Sequence, residues 1–215
     1  CISDALSANP LLQDWSTNEF GLPPFATAKP SDFEHALNHA MQEQIAELQV
    51  IASNTQPADF ANTVAAFDRS GATFQQVSNM FDNLCSSNGV PELQAVELKM
   101  AGPLAAHQNR ISSLPGLFER IDAVYNARFE SGLDRLNPEQ IRLVERFHLD
   151  FVRAGELPTG LLCCCQPSHQ MFSLRLFLSS GAKFSAEDQA KYAKITEKLA
   201  ELCTVFTQVL LFTRM

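Results

Sequence analysis

Residues 31–54, SDFEHALNHAMQEQIAELQVIASN, decide the fold. Within them Phe33, Leu37, Met41, Ile45, Leu48 and Ile51 recur every three or four residues, the spacing that gathers apolar side chains on one face of an α-helix. Ser31 and Glu34 stand at capping-box spacing, so the helix is expected to start there and to end near Asn54. Nothing in the stretch alternates with the period of two that a half-buried strand requires.

The same period continues toward the carboxyl terminus. Past Pro57, Asp59 is a candidate cap, and Phe60, Val64, Phe67, Phe74, Val77, Met80, Phe81 and Leu84 form a second stripe. Gly71 falls inside it at a cost of about 1 kcal/mol against Ala, which predicts a local kink. A third segment opens at Pro91 with Leu93, Val96, Met100, Leu104 and Ile111, and its Gly102-Pro103 pair predicts a bend or a split. Pro115 opens a helix with Leu117, Phe118, Ile121, Val124 and Tyr125 inward, closing near Gly132. Asn137-Pro138-Glu139-Gln140 then supplies a cap, a proline at the first helical position and a Gln at box spacing. Ile141, Val144, Phe147 and Phe151 carry that helix to Gly155. A last helix is expected from Ser185, with Asp188 in its first turn, running through Tyr192, Ile195, Leu199, Leu202 and Phe206. The expected class is all-α, with helices packed as antiparallel hairpins and no repeat of fixed period.

Toward the amino terminus the pattern stops. Residues 1–30 carry Pro10, Pro23, Pro24 and Pro30 around Gly21, which predicts an extended lead-in wrapped on the surface. Leu11, Leu12, Trp15, Phe20 and Phe25 within it are expected to seek burial. The first residue is Cys1 rather than Met, so the sequence reads as a fragment or a processed product.

Charge and composition narrow the function classes. The net charge of −8, from 16 Lys plus Arg against 24 Asp plus Glu, repels phosphate backbones, and no basic stripe offsets it, so nucleic acid is not an expected partner. No apolar run approaches the roughly 20 residues of a membrane helix, so no membrane partner is expected. Cysteines at 1, 85, 163, 164, 165 and 203 form no CxxC pair and no disulfide framework, which points to a reducing, cytoplasmic setting.

Catalytic chemistry is sought first in the histidines. A H-E-x-x-H helix binds zinc through two imidazoles one turn apart and keeps a carboxylate beside the first to activate water. His35 and His39 have that spacing, yet Ala36 stands where the carboxylate belongs, and Asn38 defeats the inverted H-x-x-E-H form. Glu34 lies about 100° away around the helix. His107, His148 and His169 add no further pair, so His35 and His39 read as ordinary helix-surface residues. No GxSxG, GxxxxGK[ST] or GxGxxG pattern occurs. Cys85 and Cys203 fall near apolar stripes and read as small inert hydrophobes rather than nucleophiles. Cys163, Cys164 and Cys165 cannot all face one tetrahedral ion, and palmitoylation would want a membrane anchor beside them, so no role is assigned. The expectation is no catalytic, cofactor-binding or metal-binding residue in this chain.

Several stretches nevertheless carry a resemblance. They are NPLL at 9–12, GLPPF at 21–25, PADFANTVAAFDRSG at 57–71, LFERIDAVYNARF at 117–129, IRLVERFHLDFVRAG at 141–155 and AKFSAEDQAKYAKITEKLAEL from Ala182. In this order they resemble the amino-terminal part of the thimet oligopeptidase, oligopeptidase A and peptidyl-dipeptidase family, with the peptidyl-dipeptidase branch the nearer. The resemblance implies one helical lobe of a neurolysin-like zinc peptidase, whose two lobes enclose a channel that admits only short peptides. It implies that zinc, its H-E-x-x-H helix and a third Glu ligand belong to a catalytic lobe encoded later, and that this chain is inactive alone. A stand-alone helical interaction module is the alternative, and a metal site built from His35, His39 and a ligand from elsewhere is a third.

Two stretches depart from the family. Residues 156–181, ELPTGLLCCCQPSHQMFSLRLFLSSG, interrupt a join expected to be continuous, and VLLFTRM replaces the expected continuation at the end. Both read as translated non-coding sequence. The organisation expected is therefore a lead-in at 1–30, a helical domain at 31–155, an insert without regular structure at 156–181, a continuing helix at 182–208 and a tail at 209–215.

Overall fold

The computed structural model describes residues 9–87, 90–129, 136–156 and 186–212. The 157–181 part of the expected insert, Gly132, Ser185 and the last three residues lie outside them. Among the described residues every regular element is helical and none is a strand.

The lead-in is tied down rather than loose. It folds into three short 3₁₀ turns, Pro10–Leu12, Trp15–Thr17 and Glu19–Gly21. Asn9 caps the first, its Oδ1 accepting the Leu11 amide at 3.0 Å, while its Nδ2 donates to the Asp32 carbonyl at 3.0 Å. Leu11 and Trp15 are buried as expected, and Leu12 packs partly on the same cluster. Phe20 and Phe25 are not buried: Phe20 is 88% exposed, on a backbone turned left-handed at φ 57°. The turn that accommodates Gly21 points the Phe20 ring away from the core.

Helix α1 (Pro30–Ala52) is the central post. Its expected stripe, Phe33, Leu37, Met41, Ile45, Leu48 and Ile51, is buried throughout. The start differs from the capping box read at Ser31 and Glu34: Pro30 takes the first helical position, and Asp32 accepts the Lys29 amide at 2.9 Å. Proline has no N–H to leave unpaired there, which favours the earlier start.

After α1 the chain turns through Asp59, whose Oδ1 accepts the Asn62 amide at 2.7 Å. A π-turn, Phe60–Val64, leads into α2 (Ala65–Arg69). At Gly71 the helix breaks instead of kinking. Ser70 is extended, Gly71 adopts φ 71°, and α3 (Ala72–Ser87) starts anew. Helix α4 (Pro91–Ser112) neither splits nor stops at Gly102-Pro103; it runs through both. Helices α5 (Leu117–Ala127), α6 (Pro138–Glu156) and α7 (Ala186–Phe212) complete the described elements. The α6 cap is the expected one, with Asn137 Oδ1 accepting the Gln140 amide at 2.8 Å and Gln140 Oε1 accepting the Asn137 amide at 2.9 Å.

Side-chain contacts give the topology. Phe33 meets Phe81, while Glu47 meets Gly71, so α1 and α3 are antiparallel. Glu34 pairs with Lys99 and Gln44 with His107, so α1 and α4 run parallel. Asp122 meets His148 and Arg128 meets Glu145, making α5 and α6 an antiparallel pair. Asn109 meets Thr196 and Gln94 meets Gln208, so α7 runs antiparallel along α4. The core has three parts along this frame: one around Phe33, Phe81 and Met100, one around Leu48, Leu117 and Ile121, and a smaller one around Val64, Val124 and Val144.

Helix α7 packs through its small residues. Among its residues of described burial Thr196, Ala200 and Thr204 are buried. Ile195, Leu202 and Phe206 are 64%, 57% and 64% exposed, with Val205 and Val209 beside them in solvent. The reason lies on α4, which offers Ala101, Gly102 and Ala105. Small side chains on both helices let the backbones lie close along their length, and α4–α7 is the most extensive helix pair of the fold. Polar bonds fix the register: Asn109 to the Thr196 hydroxyl at 2.8 Å, and Gln208 Nε2 to the Gln94 carbonyl at 3.0 Å and to Glu97 at 2.8 Å.

Candidate functional site

His35 and His39 both lie on α1, yet they do not share an open face. His35 is exposed, whereas His39 is half-buried with Nδ1 enclosed and unbonded. Ala36, at the position a general base would need, is fully buried. The nearest carboxylate in sequence, Glu34, is paired with Lys99 at 2.6 Å, and Asn38 Nδ2 donates to the Glu34 carbonyl at 2.8 Å. Zinc needs at least three converging donors. Among the described residues no three His, Cys, Asp or Glu side chains converge, so the donor set does not fit a zinc ion.

The remaining candidates are packing residues. Cys85 is half-buried against the Phe33 cluster, and Cys203 is half-buried on α7, where its carbonyl accepts the Thr207 hydroxyl at 2.9 Å. Cys1, Cys163, Cys164, Cys165 and His169 lie outside the described residues.

His107 is a buried neutral histidine. Its Nε2 lies 2.8 Å from Gln44 Oε1, and its ring centre lies 5.0 Å from that of Phe74. Loss of water on burial, with the Arg110 charge nearby, pushes it down to about 4. The imidazole therefore keeps a hydrogen on Nε2 for Gln44 at neutral pH.

Three constellations escape the sequence reading. The first joins α5 to α6. The His148 ring stacks on Tyr125 with centroids 3.8 Å apart and planes within 7°, and its Nε2 lies 2.9 Å from Asp122 Oδ1. The Arg128 guanidinium lies 3.6 Å from the Tyr125 ring centre, so both imidazole and guanidinium pack on Tyr125. Arg128 also bonds Glu145 at 3.2 Å. A His–Asp pair can orient a general base, but the groups around this one are rings and a cation rather than a nucleophile, so it serves as a clamp between helices.

The second is Arg120, which donates to the Asn54 and Gln56 carbonyls at 2.7 and 2.9 Å and to Asn62 Oδ1 and the Thr63 hydroxyl at 2.7 and 3.1 Å. One guanidinium thereby ties the end of α1 to the π-turn. The third is a small cleft between α3, α4 and α7, where Asp82 and Glu97 face Ser78 and Thr204. Asp82 is exposed as a residue, yet the cleft walls withdraw water from its carboxyl. Together with like-charge repulsion from Glu97, this pushes it up to about 6. None of the three could be read from spacing, because each joins residues from different helices.

The geometry thus offers a helical frame, two inter-helix clamps and a bare apolar seam on α7. Among the described residues no helix is long and apolar enough to cross a membrane. No family model matches the chain. The dipeptidyl carboxypeptidase of Salmonella typhimurium strain LT2 is 29% identical over 206 residues, covering 96% of this chain and 26% of that protein. The dipeptidyl carboxypeptidase of Escherichia coli strain K12 is 32% identical over 203 residues, covering 94% of this chain and 25% of that protein. The chain thus spans about a quarter of the length of the curated relatives it matches. Across nearly all of its own length, then, this chain is similar to dipeptidyl carboxypeptidases, the peptidyl-dipeptidase branch of the thimet oligopeptidase family.

Proposed function

We propose that this chain is the amino-terminal, channel-wall part of a zinc peptidyl-dipeptidase, acting on short peptides in the cytoplasm once joined to a catalytic lobe. The observation that carries this reading is the likeness to two dipeptidyl carboxypeptidases over 94–96% of the chain but only 25–26% of those proteins. A share of that size suits a wall without a metal centre. Among the described residues no third ligand converges on His35 and His39, and the Glu34 carboxylate is paired with Lys99. Zinc, bound by the catalytic lobe, would supply the activated water. What this chain contributes is shape: helices rigid enough to keep a channel narrow.

The test is a graft. The whole chain replaces the matched segment of the Escherichia coli relative, and release of dipeptides from the carboxyl end of a blocked tripeptide is followed. The isolated chain should release none, with or without added zinc, while the graft should cleave. A graft that folds but never cleaves, beside a stable and monodisperse isolated chain, would favour the stand-alone interaction module instead. A third ligand from elsewhere on His35 and His39 would appear as stoichiometric zinc lost on His35→Ala.

A further inference from the structure

Three helices meet at the Asp82 cleft. Helix α3 brings Phe81 and Asp82, α4 brings Glu97, Ala101 and Leu104, and α7 brings Thr204. Phe81, Ala101 and Leu104 are buried, so the walls are apolar. The free volume is about 30 Å³, room for one or two waters and too little for an organic ligand.

Hydrogen-bond donors are scarce there. Gln208, one turn beyond Thr204, gives its Nε2 hydrogens to α4, one to the Gln94 carbonyl at 3.0 Å and one to Glu97 Oε2 at 2.8 Å. The Thr204 hydroxyl donates to the Ala200 carbonyl at 3.0 Å, so toward the cleft it can only accept. Glu97 keeps Oε1 as a further acceptor.

Cations are scarce as well. Asp82 is the one charged residue of α3. On α4, Lys99 is paired with Glu34 of α1, and Arg110 stands near His107. On α7, Glu201 reaches over Gly102 and is bonded by Lys198 at 2.8 Å. Among the described residues no Lys or Arg lines the cleft. Two ionised carboxyls in such a place repel; a hydrogen on one of them removes the repulsion and supplies a donor.

We propose that Asp82 and Glu97 share a proton across this cleft, and that the shared proton latches α3 to α4 and to the carboxyl-terminal end of α7. With the latch closed, the Asp82 hydroxyl donates to Glu97 while Gln208 donates to the same carboxylate, so one side chain holds three helices. Loss of the proton undoes the α3 link and leaves two charges between apolar walls. Their repulsion is relieved by water drawn in between α3, α4 and the end of α7. Burial and the Glu97 charge push the Asp82 carboxyl up to about 6, so the latch closes as pH falls through that value. It belongs to this chain alone and needs no catalytic lobe.

Two measurements on the whole chain test it. In a carbon NMR titration the Asp82 and Glu97 carboxyls should move together in one step near the Asp82 midpoint, because one proton serves both. Glu97→Gln should lower the Asp82 midpoint by about one pH unit. The second measurement is amide hydrogen exchange at residues 204–209, corrected for the intrinsic pH dependence and taken relative to the amides of α1. Protection there should be on the order of tenfold greater at pH 5 than at pH 7.5. Asp82→Asn keeps a donor and carries no charge, so it should hold protection high at both values, and unchanged α1 amides show that the variant folds. An Asp82 midpoint at about 4 in the wild type, or one that Glu97→Gln leaves in place, overturns the shared proton. Protection at the end of α7 that ignores pH, or follows it equally in wild type and Asp82→Asn, overturns the latch.

Discussion

Arg120 has no apolar neighbour pattern to announce it, yet it carries four bonds to two separate segments. Two of its acceptors are carbonyls just past α1, where a helix end leaves groups without partners. The other two hold the π-turn that follows. Removing the guanidinium leaves those acceptors unsatisfied and takes a charged donor away, so Arg120→Ala should cost about 2–4 kcal/mol of stability. Lys at the same position offers one point of attachment instead of a fork and should recover less than half. Urea denaturation of the three proteins checks this; a loss under about 0.5 kcal/mol for Ala would mean that water replaces the bonds. This residue was not legible in the sequence, because its partners are set by where α5 lands on α1. His35 and His39 were legible as an incomplete motif, since the missing carboxylate is a local fact, Ala36, and needs no fold to be seen.

At the scale of elements the sequence was read correctly wherever one stripe had one possible partner. Helix α1 sits at the centre, so all six stripe positions had to be buried, and they are. The α6 cap was readable for the same reason, being complete within four residues, Asn137 to Gln140. Helix α7 shows that periodicity identifies a stripe but not its neighbour. On α4 it meets a surface of small residues that a bulky stripe would not fit. Gly71 was read as a kink on cost alone, whereas its φ of 71° marks a true break. Here Gly71→Ala is informative. It forces an L-residue into the left-handed region at about 1 kcal/mol, and its Cβ would run into the Gln44 side chain, which supports His107. The total loss should reach about 2–3 kcal/mol, and it should combine less than additively with His107→Gln, because both disturb one contact. Strict additivity in a double-mutant cycle would show that Gln44 moves aside without losing His107.

For the whole molecule the two displaced pKa values act in opposite directions over nearly one pH window. His107 is pushed down to about 4, below the 6.5 of an unperturbed histidine. Between those values the unfolded chain takes a proton that the folded chain refuses, so its contribution is fully present above about 6.5 and is lost as pH falls toward 4. The gap corresponds to roughly 3 kcal/mol at most. Asp82 is raised to about 6 from 3.8, so between those values the folded chain holds a proton that the unfolded chain has released. Its contribution is present below about 3.8 and is lost as pH rises through 6, the opposite slope. Asp82 is open to solvent and His107 is only 6% exposed, so the histidine should win and acid should weaken the fold. The two can be separated by denaturant titration at pH 7.5 and pH 4.5. Asp82→Asn should raise stability at the higher pH and steepen the loss toward the lower one, because the opposing slope is gone. His107→Gln, which keeps a donor for Gln44, should flatten the loss or reverse it. If wild type proved more stable at pH 4.5 than at pH 7.5, the Asp82–Glu97 cleft would outweigh the buried histidine. Repulsion between α3 and α4 would then be the larger strain in the fold at neutral pH.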